Sequence, residues 1–224
     1  MSTRSTRAAR SSSRQTTPHA PRQSKGEATR QRLLTVAADL FHAKGVDGTG
    51  LDEILRQAGA GKSQFYRHFP SKEALVCAVL AQWEANLSQS MTAPERPLDS
   101  LDALEAWLYE ILEALEADHC LRGCPIGTIA AGLDDVEEDA RGAVRHCFGV
   151  LEARLREALA AMQESGELRA EADVASLAHL VLAAQQGSAM LTKAYGDSQP
   201  ARHALAHTLN YLRSFSSSCH PEGN

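Results

Sequence analysis

Aromatic residues make up only 5% of this 224-residue chain, with two tryptophans, four tyrosines and five phenylalanines. Strand formers are scarce, whereas Ala, Leu, Glu, Arg and Gln abound, and these are residues that lose little on entering a helix. The composition predicts an all-α protein. No run approaches the roughly 18 to 20 consecutive apolar residues of a membrane span, so no membrane partner is expected. The N-terminus is basic and Ser-rich but has no apolar h-region, which excludes a secretory signal. Cysteine is sparse and odd in number, five in all, which argues against a disulfide framework and for a reducing, cytoplasmic setting.

Several chemistries are missing as well. Gly61-Lys62-Ser63 ends like a phosphate-binding loop, but Arg56 stands where that loop needs a second glycine, and the preceding LDEILRQAG has the apolar spacing of a helix rather than a strand. Cys120 and Cys124, with His119 beside them and His146-Cys147 further on, lack the second matched pair of a structural zinc site. No metal and no cofactor are expected. No nucleophile–base pair or carboxylate pair stands out, so the chain does not read as an enzyme.

What is present is an asymmetric charge. Residues 1–75 carry a net of +7 and the remainder a net of −12. A basic head on an acidic body suits a protein that meets nucleic acid at one end only. Six of the head's thirteen Lys and Arg lie in residues 1–25, a Ser-, Thr-, Arg- and Pro-rich tail without apolar periodicity that reads as disordered. Without it the head is nearly neutral.

From Gly26 the pattern turns helical. Leu33, Val36, Ala37, Leu40 and Phe41 mark one amphipathic helix that Gly45 ends. A short helix over Leu51–Ala58, the turn Gly59-Ala60-Gly61 and a helix from Lys62 to Phe69-Pro70 follow, and Ser71 caps a fourth through Trp83. Two short helices joined by a glycine turn form a helix-turn-helix, whose second helix enters the major groove. After the loop TAPERP, helical runs follow over Asp99–Ala117, Pro125–Leu133, Asp134–Glu164, Asp173–Tyr195 and Pro200–Phe215. The last two are apolar on more than one side, which predicts a subunit interface. The division read here is a tail at 1–25, a three-helix DNA-binding domain at 26–75, and a helical ligand-binding and dimerisation domain at 76–218.

Residues 29–75 resemble the DNA-binding domain of the TetR family of bacterial regulators. Thr29, Arg30, Leu33, Leu34, Ala37, Ala38, Leu40, Phe41 and Gly45 match one of its motifs. Lys62, Phe65, Tyr66, His68, Phe69, Ser71, Lys72, Glu73 and Leu75 match the other. The chain departs from the pattern at Gly61, Ser63 and Gln64, at the start of the recognition helix, and at Gly50, where a Ser or Thr cap and its phosphate contact are lost. The resemblance implies a homodimer on an inverted-repeat operator in double-stranded DNA, and phosphate contacts from Tyr66, His68 and Lys72, which set register. From their chemistry, Gln64 can pair an adenine edge, Ser63 reaches several bases, and Arg67 reads guanine or clamps phosphate. Arg30, Thr49 and Lys62 complete the expected DNA-binding set.

The resemblance also implies a small-molecule effector that drives the two heads apart. Trp107, Ile111, Ile126, Ile129 and Phe148 offer apolar lining, with Gln185 and Gln186 as polar groups on an apolar helix. CLRGCPIGTIAAGLDD, from Cys120 to Asp135, resembles a stretch of the family's flavonoid- and antibiotic-responsive efflux repressors. Cys124, near a helix N-terminus, is a candidate thiol for redox or electrophile sensing as the alternative trigger. The rival reading is a ligand-free architectural DNA-binding protein, which a cavity in the body would argue against.

Overall fold

The computed structural model describes residues 25–91, 97–119, 122–133 and 137–217. The basic tail before Lys25, most of the TAPERP loop, Cys120 and the expected start of a helix at Asp134 lie outside the described residues. Within them the fold is all-α, and the one pairing of extended backbone is an isolated bridge between Leu168 and Ser216.

Helix α1 (Lys25–Lys44) turns Leu33, Leu34, Ala37, Leu40 and Phe41 inward at helical spacing. It ends at Gly45, whose φ of 75° carries the chain into a turn and whose N–H donates to Phe41 O at 2.9 Å. Helix α2 (Leu51–Ala58) closes at Gly59, left-handed at φ 59°, while Ala60 N–H donates back to Leu55 O at 3.0 Å. That geometry strains any residue with a Cβ, so the glycine holds the angle between α2 and the next helix. Helix α3 (Lys62–His68) stops because Phe69, preceding Pro70, is extended at φ −136° and ψ 118°. Ser71 Oγ then accepts from Ala74 N–H at 3.0 Å and starts α4 (Lys72–Met91), which carries on beyond Trp83.

The body holds α5 (Leu101–Ala117), α6 (Pro125–Ala131), α7 (Glu138–Glu164), α8 (Val174–Tyr195) and α9 (Gln199–Arg213). Helix α4 packs along α7, and α8 packs against both α7 and α9. A fork between Arg202 and Glu116, with N···O distances of 2.6 and 2.8 Å and a further bond from Ser198 to the same carboxylate, ties α9 to α5. These bonds hold the Glu116 carboxyl below its ordinary range, Ser198 first and Arg202 second.

Two apolar cores result, and one of them crosses from head to body. It runs from Leu33, Phe41, Phe65 and Leu75 through Leu80 to Ile126, Ile129, Val144 and Cys147. The other fills the space between α5, α7, α8 and α9. Polar contacts reinforce the crossing. Glu73, at the start of α4, accepts from the N–H groups of Asp139 and Ala140 at 3.0 and 3.2 Å, so a head residue caps a body helix whose own N-cap, Glu137, makes no side-chain cap bond.

Helix α8 has the length and mean hydropathy, 1.2, of a membrane span. Its Ala178, Val181, Ala189 and Thr192 are buried inside the fold, on one side of the helix. The opposite side is apolar too: Leu180, Met190, Leu191 and Tyr195 are exposed, as is Tyr211 of α9.

Candidate DNA interface and effector cavity

Helix α3 is anchored by one side chain. Phe65 is fully buried and Phe69 nearly so, their rings 5.8 Å apart. The rest of the helix faces outward except its half-buried last residue, His68: Lys62, Ser63, Gln64, Tyr66 and Arg67 are exposed. Tyr66 stands edge-on to Phe65 at 5.2 Å, which holds its hydroxyl end away from the core. A short helix with a buried aromatic root and a polar, partly cationic outer surface can enter a groove without rearranging its core.

The flanking residues differ in how free they are. Arg30 lies over the Phe69 ring at 5.6 Å and 3.8 Å from Glu27, at the rim of this surface. Lys62 sits 3.1 Å from Asp52 on exposed surface, a pair that solvent screens and DNA phosphate can replace. His68 is half-buried at the end of α3. Lys72 donates to Val46 O at 2.6 Å, which fixes the amine at the α1–α2 turn and leaves two of its N–H groups for phosphate. Thr49 corrects the expectation made for it. It is fully buried, and its hydroxyl lies 2.8 Å from Gly45 O and 3.3 Å from Leu40 O, so the side chain braces the α1–α2 turn and does not face DNA.

Gln64 also differs from expectation. Its Oε1 accepts from the N–H of Gly61 at 2.9 Å, the side-chain half of a capping box to which glycine cannot reply. The carboxamide oxygen that an adenine edge would require is thereby engaged.

The body contains a cavity of about 430 Å³, within the range that holds small ligands. Its wall joins His42 of α1, Trp83 and Leu87 of α4, Ile111 and Leu115 of α5 with Asp118 just after it, Cys124 to Ile126 at the start of α6, and Gln185 and Ala189 of α8. A second cavity of about 490 Å³ is lined by Phe148, Gln186, Met190 and Lys193. Arg122, Gly123 and Cys124 belong to both and form the partition. The expected ligand residues therefore divide. Ile111, Ile126 and Gln185 face the first cavity, Phe148 and Gln186 the second, and Cys124 both. Trp107 lines a separate surface cleft with Ala103 and Glu110. Ile129 is wholly buried in the core that crosses from the head. Neither Trp107 nor Ile129 touches the cavities, because both point to other sides of their helices.

His42 was outside the expected set, and it adds a link between head and body at the cavity wall. Its Nε2 lies 2.9 Å from Gly123 O. A carbonyl can only accept, so Nε2 carries the hydrogen and Nδ1 the lone pair. Burial above all, and then the Arg122 cation, pull its pKa below 6.5 against the opposing pull of the Gly123 bond and Asp118, which keeps the ring neutral. Its edge meets Trp83 at 6.0 Å. Arg122 repeats the connection electrostatically, at 3.2 Å from Asp118 in the body and 3.6 Å from Asp39 of α1. No sequence spacing relates residue 42 to 123. Only the packing of α1 on α6 brings them together.

Two family models match the chain: bacterial regulatory proteins of the tetR family over residues 33–79, and the tetracyclin repressor-like C-terminal domain over residues 100–208. An HTH-type transcriptional regulator from the lacX 3' region of Lactococcus lactis is 31% identical over 178 residues, covering 75% of this chain and 85% of that one. The HTH-type transcriptional repressor NemR of Escherichia coli K12 is 29% identical over 187 residues, covering 82% and 94%. The crystal structure of reduced Escherichia coli NemR superposes with a TM-score of 0.73 at 28% identity, covering 81% of this chain and 95% of that one. With an exposed recognition helix on a buried aromatic anchor, a helical body of the matching kind, and relatives along most of its length, the chain belongs to the tetR family of DNA-binding, helix-turn-helix transcriptional regulators.

Proposed function

We propose that the chain is a homodimeric repressor that holds an inverted-repeat operator and releases it when a small apolar, aromatic molecule fills the cavity at Trp83 and Ile111. The observation that carries this is the hydrogen bond from His42, a residue of the DNA-binding head, to Gly123 in the cavity wall. A ligand there cannot enter without meeting α1 or the partition it is bonded to. The partition has little room of its own. Gly123 is left-handed at φ 74°, and a Cβ on it would lie 3.2 Å from Ala189 O of α8. Displacement of residues 122–124 is then transmitted to α1 through His42 and Arg122. The ligand acts by preferring the displaced state, and DNA opposes it by the same coupling free energy.

The apolar wall and the body's net of −12 favour an uncharged or cationic ligand over an anion. The likeness of Cys124-Pro125-Ile126 and its surroundings to the efflux repressors points to the same class of compound. Dimerisation is assigned to the exposed apolar stripe of α8 and the neighbouring surface of α9. A reading as a transcription factor acting on DNA places the protein in the cytoplasm.

The test uses the two tryptophans. In a Trp107→Phe variant the remaining emission comes from Trp83, which faces the cavity, and operator release is followed in the same titration. Quenching and release should share one midpoint across a panel of aromatic compounds. If no compound quenches Trp83 and none releases DNA, the effector reading falls and the DNA-binding assignment stands.

Cys124 supports a second trigger at the same partition. Its Sγ accepts from Gly127 N–H at 3.4 Å as the cap of α6, and it borders both cavities. Cys147 contrasts with it, since burial pushes that thiol up to about 11 and disfavours the reactive thiolate. NemR, solved in a reduced form, is among the relatives. Cys124→Ser should abolish release by electrophiles and leave release by reversible ligands intact. Unchanged release by electrophiles would remove the thiol reading.

A further inference from the structure

We infer that Gln64 reads the DNA through its amide N–H groups alone, and that it selects guanine in each half-site of the operator. The inference deepens the operator reading and rests on it. Gln64 stands in the first turn of the recognition helix and is exposed, and its carboxamide orientation is fixed by chemistry. The group it meets is the backbone N–H of Gly61, at 2.9 Å, and an N–H can only donate. The atom facing it must therefore be the oxygen, and the Nε2 group must point away from the helix start. The reverse bond, Gln64 N–H to Gly61 O at 3.0 Å, closes the loop on the backbone side and adds to the fixation. Nε2 has no hydrogen-bond partner among the described residues. Gln64 borders a cleft it shares with Lys25, Arg32 and Arg67, whose positive charge draws the DNA backbone in.

The polarity of the reading follows. Pairing adenine through both atoms needs an oxygen to accept from N6 while the amide donates to N7, and here the oxygen is held by Gly61. The oxygen is turned toward the helix start, and the amide N–H groups are what Gln64 turns outward. Cytosine offers it only another donor, and adenine one acceptor beside a donor. Thymine offers a single acceptor next to its methyl group. Guanine alone presents two acceptors, O6 and N7, on one edge, and two amide hydrogens can serve them. Because the dimer is symmetric on an inverted repeat, the same guanine occurs in both half-sites and its loss counts twice.

The experiment is selection from a random duplex library with the full-length protein, Gln64→Ala and Gln64→Glu, at fixed salt. The Gln64-dependent position is the one whose base preference flattens in Gln64→Ala. The wild type should show guanine there, by about tenfold over adenine in each half-site. In Gln64→Glu a carboxylate oxygen can still accept from Gly61 N–H, so the helix start keeps its bond, but the outward oxygen is an acceptor. Its preference should turn to cytosine, whose N4 donates. Equal melting temperatures of the three proteins would place the effect in recognition. Adenine at that position in the wild type, no position that responds to Gln64→Ala, or a Gln64→Glu preference that stays at guanine would each overturn the inference. A wild type that enriches no inverted repeat at all would overturn the operator reading beneath it, which is a different result.

Discussion

The DNA interface and the effector cavity are built in opposite ways. The interface comes mainly from one contiguous stretch: Phe65 and Phe69 are rooted in the core, and Lys62 to Gln64, Tyr66 and Arg67 are left outside. The cavity is assembled from α1, α4, α5, α6 and α8, and no two adjacent helices suffice to define it. A surface made by local sequence is rigid and can be read from spacing. A cavity made by distant segments exists only as long as all of them keep their places, and that dependence is what lets a ligand move the head.

Four measurements would break or sharpen this contrast. The largest effect belongs to the root of the interface. Phe65→Ala should lower stability by about 3 to 5 kcal/mol, seen as an earlier urea midpoint, and abolish operator binding, because the helix loses its only fully buried side chain. An interface that survived this change would not be rooted as described. Next, His42→Leu should still bind operator and still show ligand quenching of Trp83, with a shifted midpoint because the residue lines the cavity, yet the antagonism between the two, about 1 to 3 kcal/mol in such systems, should largely vanish. Retained antagonism would move the coupling elsewhere, to Arg122 or Glu73. Third, Glu73→Ala removes the cap of α7 and should cost about 0.5 to 2 kcal/mol in the urea midpoint, with Glu73→Gln in between.

The smallest effect is on pH. His42 has its pKa lowered from 6.5 in the folded protein by burial. The unfolded chain therefore takes up this proton at a higher pH than the folded one, and stability rises with pH across that interval. The contribution is complete above about 6.5 and is lost as pH falls from there through the folded value. The urea midpoint should thus drop between pH 7.5 and 5.5 more in the wild type than in His42→Leu. Equal drops would mean that the ring is not held neutral by its surroundings.

The contrast also explains what could be read from the sequence. The helix order, the two glycine turns and the recognition helix were all legible, because Gly59, Phe69-Pro70 and Ser71 act on their own neighbours. Thr49 was misplaced, since its burial depends on the carbonyls of Leu40 and Gly45 closing over it. Trp107 and Ile129 have the right character for a ligand wall but face other sides of their helices, which periodicity cannot distinguish when a helix is apolar on several sides. His42 and Trp83 were missed for the opposite reason. They sit in or beside the DNA-binding motif, and only the approach of α6 to α1 gives them a second role.

The apolar core that continues from Phe41 and Phe65 into Ile126 and Cys147 has a consequence for how the molecule melts. A head with its own closed core would unfold as a separate unit, and the body could remain folded without it. Here the surface that α1 and α4 turn toward α6 and α7 is interior to both parts, so removing either exposes the other's buried side chains to water. Head and lower body should denature together, with calorimetric and van't Hoff enthalpies in agreement over that portion. A fragment ending at Leu75 would lack most of α4 and all of α6, on which α1 packs, and would make a poor stand-alone DNA-binding reagent. The same shared interior means that a reporter fused to the head alone would report on the stability of the whole lower half of the protein.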